Sequence, residues 1–378
     1  MEILHIIPAR DTSVIPLAEL LQRCDPDNHH TFLVTTPFQT ILRVNTELLR
    51  IRDLCCTPIF GRFKSVRKLL FLRDQAKKAD RVVLHTLKTN GGYTPFFLFL
   101  FRDILKKSIW IPCEGEIGNH ASVSNKLLNR VARRVNRYVQ RHVGWIGLNC
   151  ESDRDLLDEF KITRPRVRVL PYVVGEYKQN ALDLCTSGSY RAARKNRLFV
   201  QIGLSSQLGN AHKLLAETLQ DFPDLDSSCM FVPFRFIIPG IRYSNGTTIY
   251  MNRVRKFVGE LGAMAIYQDK LVSVEDYVKH LANMDIVLLG NHESIQMGML
   301  TCLLAMNKRI FMEETSPLFR YLNNLGAGIH SLEELKEAGS LEAAMKLPGT
   351  RLPEAVLQQY SADNILTLWQ TWCAEKKE

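Results

Sequence analysis

No stretch of this 378-residue chain is apolar for long enough to cross a bilayer. The longest run, PFFLFLF at 95–101, falls far short of the ~20 residues required. The N-terminus MEILHIIPARD carries an acid at position 2 and only a short apolar run, so it does not read as a signal peptide. No C-x-x-C pair occurs among the nine cysteines at 24, 55, 56, 113, 150, 185, 229, 302 and 373. An odd count without paired spacing argues against a disulfide framework. Several of these cysteines sit inside apolar runs, as reduced thiols used as small hydrophobes do in a cytosolic protein. There is no internal repeat and no low-complexity tract, and no RNA-recognition or helix-turn-helix signature, so a nucleic-acid partner is not expected. Residues 117–150 contain no Asp or Glu.

What is present is an ordinary globular composition, 46% apolar and 23% charged. The length suits two domains of roughly 150 to 200 residues. The formal net charge of +10 predicts an anionic partner.

Short apolar runs alternate with amphipathic segments. Buried strands are predicted at 2–7, 30–36, 81–86, 108–113, 143–149 and 167–173, with helices at 15–23, 65–79 and 124–141. A polar, small-residue stretch at 178–196 reads as a linker. A second series follows, with strands at 197–203, 234–240, 264–268, 285–290 and 308–312 and helices at 210–220, 248–261, 274–283 and 298–306. Strands separated by helices imply βαβ units and parallel sheets. The predicted organisation is α/β: a Rossmann-like domain over 1–177, the linker 178–196, a second Rossmann-like domain over 197–353, and a C-terminal helix over 354–378. The two parallel sheets are expected to face each other across a cleft. Ligands of open α/β sheets sit beyond the carboxyl ends of the strands, and that cleft is the expected site.

Three strand-end loops of the second half carry polar groups suited to a nucleotide. GLSSQLGNAH (203–212) offers Gly203 for close backbone approach, Ser205 and Asn210 as hydrogen-bonding groups, and a helix start whose free N–H groups suit a phosphate. An ordinary turn with Asn210 as N-cap accounts for the same residues. PGIRYSNG (239–246) places Arg242 and Tyr243 where a diphosphate and a base or sugar would be met, though a surface turn has the same look. GNHESIQMG (290–298) is a polar notch between an apolar strand and an apolar helix. Glu293 and Gln296 have the reach there, and Gly298 opens the helix. A carboxylate after a strand commonly holds a ribose hydroxyl pair, while Glu293 as a solvated loop residue near a helix start is the plainer alternative.

At these residues the chain resembles the bacterial lipid-linked N-acetylfucosaminyltransferases (4-acetamido-4,6-dideoxygalactose transferases) of enterobacterial common antigen synthesis. A G-x-S-x4-N-x-H pattern is present as Gly203, Ser205, Asn210 and His212. A Y-x3-L-x3-D pattern follows as Tyr277, Leu281 and Asp285, and beyond it come Gly298, Leu303, Leu304 and Pro317. In the first half, His85, Pro95 and the W-x(5)-E pair Trp110 and Glu116 are similar to family counterparts more loosely. The chain departs from the family in the notch, at Glu293 and at Gln296-Met297-Gly298, and at Cys113-Glu114-Gly115-Glu116.

The resemblance implies a GT-B glycosyltransferase that needs no metal or other cofactor. Its donor would be a nucleotide-diphosphate sugar; with the three loops read above, the expected donor-binding residues are Gly203, Ser205, Asn210, His212, Arg242, Tyr243, Glu293, Gln296 and Gly298. Its acceptor would be a polyprenyl-diphosphate-linked saccharide. Inverting transfer needs a base for the acceptor hydroxyl and positive charge or helix dipole against the departing diphosphate. Glu116, then Glu114, are the expected bases, with solvated loop carboxylates as the alternative. His85 is expected to bind acceptor. The D-x-D matches at 153–155 and 224–226 read instead as a capped helix start and a turn.

The segment NKLLNRVARRVNRYVQRHV (125–143) adds a surface. At ~100° per residue, Arg130, Arg133, Arg134, Arg137 and Arg141 fall on one face. Leu128, Val131, Val135, Tyr138 and Val139 fall on another. A solvated basic helix has this pattern, and so does one whose basic face meets anionic headgroups or a polyprenyl diphosphate. The expected protein is a cytoplasmic enzyme, peripheral on the inner face of the cytoplasmic membrane. A GT-B-type nucleotide-sugar epimerase and a non-enzymatic basic binder are the alternatives.

Overall fold

The computed structural model describes residues 1–7, 14–34, 51–53, 64–87, 93–112, 116–117, 127–172, 197–204, 211–237, 245–270, 274–290 and 297–375. The chain divides into two compact units, Met1–Val173 with Gln359–Glu378, and Val174–Gln358. The predicted linker at 178–196 lies outside the described residues.

The first unit is built on β1 (Glu2–Ile7), β2 (His29–Val34), β3 (Ile51–Asp53), β4 (Arg81–Leu84), β5 (Ser108–Trp110), β6 (Trp145–Leu148) and β7 (Arg166–Val169). They form one sheet in the order β3-β2-β1-β4-β5-β6-β7, and every pairing is parallel. Parallel strands are covered on both faces, so their sequences read as continuous apolar runs. Alternate residues then sort to opposite sides.

One face carries Leu4, Ile6, Leu33, Val82, Leu84 and Trp110. It packs on α2 (Lys64–Lys78), α3 (Tyr93–Leu100), α4 (Arg102–Lys106), α5 (Leu127–His142) and α6 (Asp153–Glu159). The other carries Ile3, Ile7, Phe32, Val83 and Ile109, and packs on α1 (Val14–Cys24) and on the C-terminal helix Ala362–Ala374. That helix buries Ile365, Trp369, Trp372 and Cys373, a helical i, i+4, i+7, i+8 stripe. The Ser361 hydroxyl caps it by accepting from Asn364 N–H. The tail thus returns to complete the first core.

The second unit contains β8 (Leu198–Ile202), β9 (Ser228–Ile237), β10 (Met264–Lys270), β11 (Ile286–Leu289), β12 (Arg309–Met312) and β13 (His330–Ser331) in the order β10-β9-β8-β11-β12-β13. This is the Rossmann order, with its topological switch point between β8 and β11. One face packs on α7 (His212–Leu219), α8 (Asn245–Gly259), α12 (Leu332–Ala338) and α13 (Leu341–Ala344). The remaining helices are α9 (Val274–Ala282), α10 (Met297–Ala305), α11 (Pro317–Asn324) and α14 (Glu354–Gln359); the tail helix Ala362–Ala374 is α15.

Both D-x-D matches have local duties. Asp153 begins α6. Asp224 accepts the N–H groups of Leu341 and Glu342 at the start of α13, at 3.0 and 2.8 Å, a favourable place for an anion.

Candidate functional site

The carboxyl end of β8 is where the second sheet reverses its strand order, and it holds the first of the three loops. Gly203 follows the strand with φ +71, and its N–H donates to Leu288 O of β11 at 2.9 Å. The buried Gln201 donates through Nε2 to Gly203 O at 3.0 Å, and its Oε1 has no partner among the described residues. α7 begins at His212, entered through Ala211 at φ +47, a left-handed conformation that is uncommon for a residue with a Cβ.

His212 is fully buried. Its Nδ1 shares a hydrogen bond with Tyr250 Oη at 2.9 Å, and its Nε2 finds no partner among the described residues. That nitrogen lies over Gly203, where a Cβ would come within 2.6 Å of it. Position 203 therefore needs glycine both for its backbone angle and for the imidazole above it. Burial pushes His212 down to about 4 and Tyr250 up to about 12, so the pair is neutral near pH 7. A buried ring nitrogen left unpaired at a strand end calls for an explanation, and a ligand is one.

Ser205, Asn210, Arg242, Tyr243, Glu293 and Gln296 lie outside the described residues. Gly298 is the second residue of α10 and half-buried. The Y-x3-L-x3-D residues are structural here. Tyr277 and Leu281 are buried in α9, and Asp285 Oδ2 accepts Phe199 N–H at 2.9 Å, tying the start of β11 to β8.

In the first unit Glu116 is buried. Its Oε2 accepts Trp110 Nε1–H at 2.9 Å, and its Oε1 accepts Leu87 N–H at 2.9 Å and the Thr86 hydroxyl. Gln140 Nε2 of α5 donates to its backbone O at 2.8 Å. The carboxylate thus holds the ends of β4 and β5 together, a duty it has whatever else it does. Glu114 lies outside the described residues. His85 is also fully buried. Its Nε2 is 3.0 Å from His5 Nδ1 and its Nδ1 is 2.8 Å from Tyr172 Oη. Both ring nitrogens are therefore used inside the unit, and an acceptor contact from this position would run through Tyr172.

The five arginines of the predicted basic face all lie in α5. Arg130, Arg134 and Arg137 are exposed, Arg133 and Arg141 half-buried, and Val135 and Val139 buried. Val131, expected on the packed face, is 43% exposed. The neighbouring helices explain why: α3 and α4 pack against α5 through Tyr138, which meets Phe99 edge-on and lies under Arg102. The layer also leaves Leu70, Phe96 and Leu100 exposed, the last at 67%.

No protein family and no functionally curated protein matches the chain by sequence. Solved structures do match in fold. One is Anabaena Alr3699/HepE in complex with UDP and glucose, at TM-score 0.66 and 11% identity over 99% of this chain and 100% of that one. Another is a sucrose-phosphate synthase from Thermosynechococcus elongatus, at TM-score 0.62 and 10% identity over 99% of each chain. A third is a UDP-forming α,α-trehalose-phosphate synthase from Burkholderia vietnamiensis, at TM-score 0.60 and 10% identity over 99% of this chain and 98% of that one. With two parallel Rossmann-like sheets and neighbours of this kind along its whole length, the chain has the GT-B fold.

Proposed function

We propose that the protein is a glycosyltransferase that moves a deoxyamino or related sugar from a nucleotide-diphosphate donor to a polyprenyl-diphosphate-linked saccharide. It would do so without a metal, in bacterial surface polysaccharide synthesis. The observation that carries the reading is the switch point of the second sheet, where Gly203 brings backbone close, α7 begins, and the buried His212 Nε2 finds no partner among the described residues. A diphosphate matches those groups: N–H donors at helix starts and a neutral imidazole able to donate. The binding of UDP by the fold neighbour HepE supports a nucleotide there.

In this reading the loops after β8, β9 and β11 hold the donor through Gly203, Ser205, Asn210, His212, Arg242, Tyr243, Glu293, Gln296 and Gly298. The helix starts and Arg242 oppose the charge that develops on the leaving diphosphate. A lipid-linked acceptor is supported by the helical layer α2–α5. It presents Arg130, Arg134, Arg137, Lys77, Lys78, Arg102 and Lys106 beside exposed Leu70, Phe96, Val131 and Leu100. Basic and apolar groups together suit an anionic bilayer surface, which supports a working position on the inner face of the cytoplasmic membrane.

The test is a thermal-shift screen with UDP, dTDP, GDP and CMP. A ligand that binds the native state raises the midpoint. At least one nucleotide should do so, and a flat response to all four at millimolar concentration would sink the reading.

A further inference from the structure

Three histidines occupy sheet positions that alternation would give to apolar side chains. His5 shares its face with Ile3 and Ile7, His30 with Phe32, and His85 follows Val83. They lie in the layer between the sheet and α15, with His5 stacked on Phe32 and tilted against Trp369. Asp25, His30, His5 and His85 are at most 2% exposed, and Tyr172, at 8%, is the most exposed of the set.

The five groups are joined end to end. Asp25 Oδ2 is 2.9 Å from His30 Nε2, and His30 Nδ1 is 2.9 Å from His5 Nε2. His5 Nδ1 is 3.0 Å from His85 Nε2, and His85 Nδ1 is 2.8 Å from Tyr172 Oη. The path crosses from the loop before β2, at the amino edge of the sheet, to the residues after β4 and β7, at its carboxyl edge.

A carboxylate only accepts, and a neutral imidazole has one donor and one acceptor. Asp25 therefore sets every proton in the chain. His30 donates from Nε2 and accepts at Nδ1, so His5 must donate from Nε2. His85 must do the same, and Tyr172 must donate its hydroxyl proton to His85. One added proton reverses the whole sequence: His30 becomes an imidazolium held by Asp25, His5 and His85 change to the Nδ1–H tautomer, and Tyr172 becomes an acceptor. Aliphatic side chains would fill these positions without the penalty of burying polar groups, so the continuous path itself asks for a use.

We propose that Asp25, His30, His5, His85 and Tyr172 form one proton relay, and that Tyr172 is the catalytic residue that takes the proton from the attacking acceptor hydroxyl. The assignment rests on the glycosyl-transfer reading above. As the acceptor oxygen bonds to the anomeric carbon, its proton passes to Tyr172 Oη. The Tyr172 proton passes to His85 Nδ1, that on His85 Nε2 to His5 Nδ1, and that on His5 Nε2 to His30 Nδ1. The bond from the anomeric carbon to the diphosphate breaks, and its electron pair leaves with the diphosphate. The positive charge comes to rest on His30 against the Asp25 carboxylate, and the path resets by returning the proton to water.

Asp25, His30, His5 and His85 are positioning residues in this scheme. Glu116, which binds Thr86 and Leu87 next to His85, fixes the backbone at its outlet. The charged and titratable groups around the inner end are the Met1 amino group, His29 and Cys373, with Arg81 beyond the thiol. Among the described residues, His5 meets His30 and His85 besides the aromatic rings.

Nitrogen-15 NMR on the full-length protein tests the relay without any substrate. At pH 7.5 His5, His30 and His85 should all be Nε2–H tautomers. Asp25→Asn should move the His85 ring signals, although two histidines intervene. Mixed tautomers, or an unmoved His85 in a folded Asp25→Asn protein, overturn the relay. Tyr172→Phe, which keeps the ring, tests the catalytic assignment. With a sugar derivative of the nucleotide that responds in the thermal-shift screen, nucleotide release should fall about 100-fold in kcat with little change in KM. The decline of wild-type activity toward acid pH should flatten in the variant. An unchanged kcat overturns the role of Tyr172 and leaves glycosyl transfer standing. Absence of any nucleotide response removes glycosyl transfer and that role with it, while the tautomers still decide the relay.

Discussion

Trp110 Nε1 donates to Glu116 Oε2 across 2.9 Å in the interior of the first unit. Among the described residues this carboxylate accepts from an indole N–H, a backbone N–H and a hydroxyl. Glu116→Gln would turn an NH2 toward at least one of them. A buried donor facing a donor costs about 1–3 kcal/mol, so the variant should unfold at lower denaturant with an unchanged slope. A stability equal to wild type would show that the carboxylate is not needed as a clamp. If Glu116 is the base, the same variant loses turnover; if Tyr172 takes the proton, Glu116→Gln retains a large part of kcat once folded.

Gly203 and His212 give the corresponding test in the second unit. Gly203→Ala must adopt φ +71 and push aside an imidazole 2.6 Å from the new methyl. The left-handed conformation alone costs about 1–2 kcal/mol. Displacing His212 should also abolish any nucleotide-induced rise in the thermal midpoint. His212→Ala, which leaves the backbone free, separates the two effects: loss of the nucleotide response with Gly203 intact assigns it to the ring.

Burial holds several histidines uncharged in the folded state. It pushes His85 to about 3 and His212 to about 4, and lowers His5 well below its usual value. Unfolded, each would titrate near 6.5. Between these values the unfolded chain binds more protons, so stability rises with pH. The contribution is complete above about pH 6.5 and declines as pH falls toward about 4 for His212 and about 3 for His85. The loss amounts to about 1.4 kcal/mol per pH unit for each histidine in its window. Denaturation midpoints measured from pH 7.5 to 4.5 should fall steadily, and His212→Asn should shallow the slope. A midpoint independent of pH would contradict the buried neutral histidines.

The parallel strands were legible because both faces are covered, which leaves uninterrupted runs such as EILHII and RVVLH. Two strands escaped that test. β3 has three residues and β13 two, too short for any period to register. PFFLFLF, notable in the sequence only as an apolar run, lies almost wholly in helix α3, and periodicity alone cannot separate a buried helix from a buried strand. The histidine path was invisible for a different reason. Asp25, His30, His5, His85 and Tyr172 are scattered over the first 172 residues and meet only through sheet register, where β1 lies between β2 and β4. Gly203 and His212, nine residues apart, were named together because both belong to the G-x-S-x4-N-x-H pattern of the resembled family.

The exposed arginines of α5 make a separate prediction about where the protein works. Arg130, Arg134 and Arg137 face outward on a helix that has no acid along its length. Each basic residue near an anionic leaflet contributes about 1 kcal/mol, so replacing all three with serine should weaken binding to phosphatidylglycerol-containing vesicles about 100-fold. Arg→Ser at exposed sites leaves the core untouched, and the thermal midpoint should stay within a few degrees of wild type. Wild-type binding should weaken as salt shortens the range of the attraction. Leu100→Gln, on the adjoining α3, removes apolar surface that salt cannot screen. It should therefore reduce the binding that persists at 0.5 M salt more than the binding at low salt. Vesicle sedimentation of the three proteins separates these contributions. Equal binding by wild type and the triple serine variant would remove the basic face from the acceptor side of the reaction.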